Sequence, residues 1–304
     1  IKILSNLDIA EKRIPQDGHF RVKINDSFVN IRVSVLPTVF GEKAVLRIMA
    51  ATGHLEHADH FGMDDFSYNQ FLPMLNYPNG IIYITGPTGS GKSTTLAAMI
   101  EHMNQVSDRH IITIEDPVEY VYENKKSLIH QREVGEDVES FATALRSALR
   151  EDPDVILVGE MRDYETIQAA LLAAETGHLV LSTLHTTGAT QTVERIIDAC
   201  PTSGQNQVRI QLAGTLKGII SQCLIPCEDG MTRVAATELL IGTDAILNLV
   251  REGKTHQIGS IMQTSGNAAM HTLNMDLSRL VKQGYISREN AFAYTNNKAQ
   301  IQQY

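Results

Sequence analysis

Gly86-Pro87-Thr88-Gly89-Ser90-Gly91-Lys92-Ser93 is the stretch from which the fold of this chain follows. It succeeds the apolar run Ile81 to Thr85, which predicts a buried strand, and it opens Lys92 to Asn104, which predicts a helix. The pattern G-x-x-x-x-G-K-[ST] binds phosphate only in that strand–loop–helix context. Its glycines let successive backbone N–H groups turn inward around phosphate oxygens, and the positive end of the following helix adds field. Gly86, Pro87, Thr88, Gly89, Ser90, Gly91, Lys92, Ser93 and Thr94 are thus the expected ATP contacts, with Lys92 reaching the β- and γ-phosphates and Ser93 ligating Mg²⁺. From average residue usage such a match arises by chance in on the order of 1% of chains this long, so the motif outweighs a random glycine-rich turn.

Outward from the loop, short apolar strands alternate with helical stretches, the signature of parallel βαβ units. Strands are expected at Ile81 to Thr85, Ile111 to Ile114, Val155 to Val158 and Leu179 to Ser182. Helices are expected at Lys92 to Asn104, Ser140 to Leu149, Tyr164 to Glu175 and Thr190 to Ile197. Ligands of open parallel sheets bind beyond the carboxyl ends of the strands. There the second strand delivers Glu115-Asp116-Pro117-Val118-Glu119, the third Gly159-Glu160-Met161-Arg162-Asp163, and the fourth Leu184-His185, with His178 just ahead of it. An acidic run is usually a solvated loop, and a histidine beside a strand is usually structural. Together, however, four strand ends carrying Lys and Ser, Glu and Asp, Glu, and His form what a nucleotide hydrolase with a γ-phosphate sensor needs. Glu160 is the expected water-activating carboxylate and a metal ligand, because it leaves a buried strand facing the loop of Lys92. Glu119 is its rival.

Ahead of this, Phe20 to Ile24, Phe28 to Val35 and Ala44 to Ile48 alternate with the strand period, with Asn25-Asp26 and Pro37 to Gly41 as turns, and predict an antiparallel meander. Its polar face carries Arg21, Arg32 and Arg47. Guanidinium contacts to a γ-phosphate speed transfer by roughly 10³ to 10⁵, and these arginines are expected to complete the ATP site across domains, from the same chain or a neighbour. Ala50 to His60 is irregular, and the domains are set at 1–55, a linker at 56–62, and 63–304 with a helical part from about 240. After Gly204 the pattern becomes mostly helical, with an expected hairpin of Gln222 to Ile225 and Arg233 to Leu240, then helices near Asp244 to Arg251, Thr255 to Gln263, His271 to Lys282 and Ser287 to Tyr294.

Composition bounds the function. The 304 residues are 43% apolar and 20% charged, with a mean hydropathy of -0.11, as in ordinary soluble domains. The longest apolar run, Ala169 to Ala174, is far short of the roughly 20 residues that cross a bilayer, so no membrane insertion is expected. A net charge of -9 repels phosphate backbones and argues against a nucleic-acid partner. Three cysteines, Cys200, Cys223 and Cys227, suit neither a disulfide framework nor a four-thiolate zinc site and fit a reducing cytoplasm. Ile1 is preceded by no signal pattern, and the chain is expected to begin inside a longer protein.

The phosphate loop, the box Ile114-Glu115-Asp116-Pro117-Val118-Glu119, the stretch Leu145 to Asp154 leading to Glu160, and the box Thr176-Gly177-His178-Leu179 to Leu184-His185-Thr186 together resemble the secretion ATPases of type II secretion and type IV pili. The resemblance implies an α/β fold: a RecA-like P-loop NTPase domain, its parallel sheet flanked by helices and ending in a helical part. A small α+β antiparallel-sheet domain, PAS-like and truncated at its start, would precede it. It also implies a homo-hexamer that hydrolyses ATP with Mg²⁺, works on an inner-membrane pilus platform protein, and sits peripherally at the cytoplasmic face of that membrane. Glu119 and Glu160 are then catalytic, and His178 and His185 sense the γ-phosphate.

Within the family, Asn124 to Ser127 with Gln131 to Gly135, Gly159 to Asp163, and Ala245 to Ile258 resemble the PilT-like retraction ATPases of twitching motility. In the motif A-I-R-N-L-I-R-E, Leu247 and Val250 here replace an arginine and an isoleucine. Arg13 to Gly18 and Pro37-Thr38-Val39-Phe40-Gly41-Glu42-Lys43 look instead like the assembly and export members, whose usual four-cysteine zinc module is missing. A RecA-like nucleic-acid motor would need a basic stripe or stacking aromatics, and this chain has no tryptophan and 6% aromatics. A non-catalytic scaffolding ring would have lost Lys92 or Glu160, and both are kept.

Overall fold

The computed structural model describes residues 1–24, 27–48, 61, 63–264 and 270–295. The expected turn at Asn25-Asp26 and most of the expected linker at 56–62 lie outside them. The chain divides into two compact units, one of Ile1–Leu55 with Glu119–Val121, the other of Glu56–Val118 with Tyr122–Tyr304.

The small unit is the antiparallel meander β1 (Gln16–Ile24), β2 (Ser27–Thr38) and β3 (Gly41–Ile48). Alternation sends Val33 and Val35 to a buried face, and Arg32 to the other. In the register His19 and Arg47 stand directly opposite Arg32 on either side, and Arg21 opposite Asn30.

The large unit is built on a seven-stranded sheet, order β10-β9-β4-β8-β7-β5-β6. Four strands are those expected: β4 (Gly80–Thr85), β5 (His110–Glu115), β7 (Val155–Val158) and β8 (Leu179–Leu184). They run parallel and nearly wholly buried, as strands covered on both faces must. Alternate residues feed two cores. Ile81, Tyr83, Ile112, Ile156 and Val180 pack with α3 (Phe141–Ala148), α4 (Tyr164–Glu175), α5 (Ala189–Asp198) and α6 (Gln205–Thr215). Ile82, Ile84, Ile111 and Leu181 pack with α1 (Asp65–Phe71) and α2 (Lys92–Val106).

Two strands extend this pattern. β6 (Leu128–Glu133) adds a parallel edge beside β5, and β9 (Leu216–Pro226), longer than the expected hairpin arm, runs parallel to β4 while pairing antiparallel with β10 (Arg233–Ile241). After β10 come α7 (Asp244–Glu252), a 3-10 turn Thr255–Gln257, α8 (Ile258–Thr264), α9 (Leu273–Lys282) and α10 (Arg288–Tyr294). α9 and α10 set Leu277, Leu280 and Ala291 against Cys223, Ile225 and Ala236 of the β9–β10 hairpin. Among the described residues no helix is long and apolar enough to cross a membrane.

Candidate active site at the carboxyl edge of the large sheet

Strand order fixes what meets at the edge. Because β4, β8, β7 and β5 are consecutive neighbours, the loops after them follow one another: the phosphate loop, then His185, then Glu160, then Glu115. Gly86, Gly89 and Gly91 take φ of 142°, 77° and 88°, a region that L side chains avoid. At Gly86 a Cβ would also stand 2.1 Å from the Gln222 carbonyl oxygen. Lys92 is 8% exposed, and its Nζ donates to the carbonyls of Gly86 at 2.8 Å and Pro87 at 2.9 Å. Within the same loop Ser90 Oγ is buried with no hydrogen-bond partner in the structure. An ammonium folded over its own loop, a hydroxyl without a partner and open left-handed glycines fit a polyphosphate, which would supply acceptors to all of them. Ser93 is half-buried at the mouth of α2.

Gln222 supports this loop from beneath, and its part was not read from sequence. Its side chain is 4% exposed; Nε2 donates to the Ser90 carbonyl at 2.7 Å, and Oε1 accepts from Thr95 Oγ1 at 3.0 Å. The one signal was an amide among the apolar neighbours Ile219, Ile220, Leu224 and Ile225, where a buried polar group must have partners.

Glu160 leaves β7 through Gly159, whose N–H donates to the Ile114 carbonyl at 2.8 Å. Thr183 Oγ1 donates to the Gly159 carbonyl at 2.6 Å, and Met161 N–H to the Thr183 carbonyl. So anchored between β5 and β8, the Glu160 carboxylate is 15% exposed and meets two cationic or protonatable groups, Arg162 Nε at 2.7 Å and His185 Nε2 at 3.6 Å. Glu160 and Arg162 also border a cleft of about 660 Å³ that includes Asp116, Glu139, Asp163 and Glu165 but no residue of the phosphate loop. Its carboxylates would repel a polyphosphate. Of the two, the loop suits a polyphosphate better than this cleft, and Glu160 stands on the cleft's border.

Among the other expected residues, the three arginines belong to the small unit. Glu115 is held by Thr113 Oγ1 at 2.7 Å and Gln131 Nε2 at 3.2 Å. Glu119 falls in the stretch Glu119–Val121 that groups with the small unit. His178 precedes β8 at the amino end of the sheet, about 20 Å along the strand from His185 at the usual rise per residue. Its Nδ1 lies 3.0 Å from the Ala173 carbonyl and its own carbonyl accepts from Gly80 N–H, so within one chain it does not join the phosphate loop. Arg21, Arg32 and Arg47 are exposed on one face of the small sheet, with Arg21 Nε donating to Asn30 Oδ1 at 2.8 Å. Directly opposed like charges, as at Arg32 and Arg47, weaken a strand pair unless an anion faces them.

A family model described as "Type II/IV secretion system protein" matches residues 1–301. The "Type IV pilus retractation ATPase PilT" of Pseudomonas aeruginosa is 56% identical over 221 residues, which are 73% of this chain and 64% of that protein. A "Twitching motility protein" of Neisseria gonorrhoeae is 55% identical over 221 residues, 73% of this chain and 59% of that protein. The chain thus spans less than two thirds of the length of these relatives. The crystal structure of the pilus retraction motor PilT with bound ADP superposes with a TM-score of 0.81 at 46% identity, covering 95% of this chain and 80% of that one.

Proposed function

The chain belongs to the type II/IV secretion system protein family, and from that membership we propose that it is a subunit of a homo-hexameric, Mg²⁺-dependent ATPase that drives retraction of a type IV pilus. The observation that carries the reading is the meeting of the Lys92 loop, His185 and Glu160 on three neighbouring strand ends. The identity with relatives named for pilus retraction and for twitching motility supports the direction of work.

In this reading Lys92 exchanges the Gly86 and Pro87 carbonyls for β- and γ-phosphate oxygens of ATP, and the backbone N–H groups of the loop take the remaining acceptors. Ser93 and Glu160 are the residues that would hold Mg²⁺, which would supply neutralisation of phosphate charge. Glu160 orients the attacking water and accepts its proton, with Glu119 as the alternative base. His185, beside Glu160, registers the γ-phosphate. His178 could sense a phosphate only from another subunit. Arg32 and Arg47, with Arg21, complete the site from the same chain or a neighbour. The motor works from the cytoplasmic face of the inner membrane on a platform protein of the pilus machine.

A second reading, an assembly or export motor, is favoured by the β2–β3 hairpin with its Pro37 to Lys43 sequence. Purified chain should hydrolyse ATP only with Mg²⁺ and lose turnover in Lys92→Ala, while single-stranded DNA should not stimulate it. Mixing Lys92→Ala with Arg32→Ala subunits tests a neighbour's arginine: recovered activity supports action between chains, and no recovery opposes it.

A further inference from the structure

Glu238 of β10 divides its carboxylate between two helices, α5 beside the site and α9 outside it. Oε1 accepts from the N–H of Ala189 at 2.7 Å, the first residue of α5. Oε2 accepts from the N–H of Leu273 at 3.2 Å, the first residue of α9. α5 begins on Gly188, which supplies no side chain to cap it. Both helices thus present their positive ends and an otherwise orphaned amide to one half-buried carboxylate.

What stands behind each arm makes this more than a brace. α5 is the helix entered directly from His185. Thr186 Oγ1 lies 2.7 Å from Thr192 Oγ1 of α5, and Thr192 Oγ1 lies 3.5 Å from Thr85 Oγ1, one residue before the phosphate loop. Glu238 itself pairs in register with Ser221, and its neighbour Thr237 with Gln222, the residue beneath the loop. On the far side, α9 is fixed to the same strand by Asp276, which accepts from Thr237 N–H at 2.7 Å. Thr187, Gly188, Glu238, Met262 and Leu273 line one small cleft of about 160 Å³ between the two helix starts. The Glu238 carboxylate is therefore the side chain hydrogen-bonded to the starts of both α5 and α9, with a cleft adjoining the two.

We propose that Glu238 is a positioning residue that couples the phosphate-sensing loop at His185 to α9 and the carboxy-terminal helices, so that nucleotide state is transmitted to them. This rests on the ATPase reading above. Gln at position 238 keeps the length but offers one acceptor oxygen and an NH₂ that cannot accept, so one arm must fail.

The test is amide hydrogen exchange on the full chain with and without Mg²⁺ and the slowly hydrolysed analogue ATPγS, together with steady-state kinetics. In the wild type, nucleotide should slow exchange in the phosphate loop and change it at 272–282. In Glu238→Gln the loop should still be protected and the KM for ATP should stay within about twofold, while the nucleotide-dependent change at 272–282 is lost and basal exchange at Ala189 or Leu273 rises about tenfold. Glu238→Asp, which keeps the charge but withdraws it by one methylene, should behave likewise and serves if the Gln variant melts below the assay temperature.

A nucleotide-dependent change at α9 that survives in both variants overturns the coupling. So does a wild type whose phosphate loop is protected while α9 is indifferent. Absence of loop protection and of turnover in the wild type would instead overturn the ATPase reading, and the coupling with it.

Discussion

Arg162 Nε stands 2.7 Å from Glu160 Oε2, a guanidinium 72% exposed reaching a carboxylate 15% exposed. The asymmetry sets the expected cost of breaking the pair. An ion pair with one solvated partner contributes about 0 to 1 kcal/mol, so its loss moves a rate by no more than about fivefold. Arg162→Gln should therefore leave kcat within about fivefold of wild type, whereas Glu160→Gln should keep ATP bound and slow hydrolysis by about 10² or more. Turnover measured beside an ATP-binding titration separates the two. An Arg162→Gln loss as large as that of Glu160→Gln would mean that the guanidinium touches the substrate. Normal hydrolysis in Glu160→Gln with loss in Glu119→Gln would move the base to Glu119.

The support beneath the phosphate loop gives a second expectation. Gln222→Ala strips the donor from the buried Ser90 carbonyl and the acceptor from Thr95, and a buried polar group left unpaired costs about 1 to 3 kcal/mol. Since these groups shape the loop and touch no reacting atom, the cost should fall on binding: KM for ATP up about tenfold, kcat within about threefold. A kcat loss at unchanged KM would contradict this.

These residues also mark how far the sequence could be read. β4, β5, β7 and β8 announced themselves because strands buried on both faces are continuous apolar runs, and the phosphate loop because its glycines leave no alternative geometry. The edge strand β6, Leu-Ile-His-Gln-Arg-Glu, buries only Ile129 among its apolar residues and so carries almost no hydrophobic period. Gln222 showed only as an amide in an apolar run and Glu238 not at all, because their roles come from partners far along the chain, Ser90 and Thr95 for one and Ala189 and Leu273 for the other. His178, close to His185 in sequence, sits at the other end of β8, since a strand of six residues carries its two flanks to opposite edges of a sheet.

Cys223 ties the β9–β10 hairpin to alkaline stability. Burial first, then the nearby charge of Asp276, pushes its thiol up to about 11 from an ordinary 9.0. A group whose folded value is raised contributes fully below pH 9 and loses that contribution as pH climbs toward 11. A rise of that size corresponds to about 2 to 3 kcal/mol. Urea unfolding at pH 8 and at pH 10.5 should thus show wild type losing more stability than Cys223→Ala across that interval. Equal losses in the two proteins would mean that the thiol ionises without unfolding cost.

The proposed direction of work can be tested at α7. Its apolar stripe is spent on packing: Ile246 and Val250 are fully buried and Leu249 half-buried. Thr243 caps its start and Gly253, at φ 71°, ends it, so the helix is pinned at both ends. What it offers outward is charge. Arg251 Nη1 donates to Asn248 Oδ1 at 2.7 Å, and Glu252 pairs with Lys254 at 2.8 Å, all on exposed side chains. Such contacts contribute little to stability, so replacing Arg251 and Glu252 together by alanine should leave the melting temperature and ATP turnover close to wild type. If this surface hands the motor's movement to the filament machinery, the same double variant should abolish retraction. Imaging labelled pili in cells carrying it reads the answer directly. Filaments that extend and fail to shorten support the retraction motor; filaments that never appear, with hydrolysis intact, would make the protein an assembly motor. Normal shortening would show that the exposed end of α7 carries no part of the coupling, since its charges would then serve neither the fold nor the work.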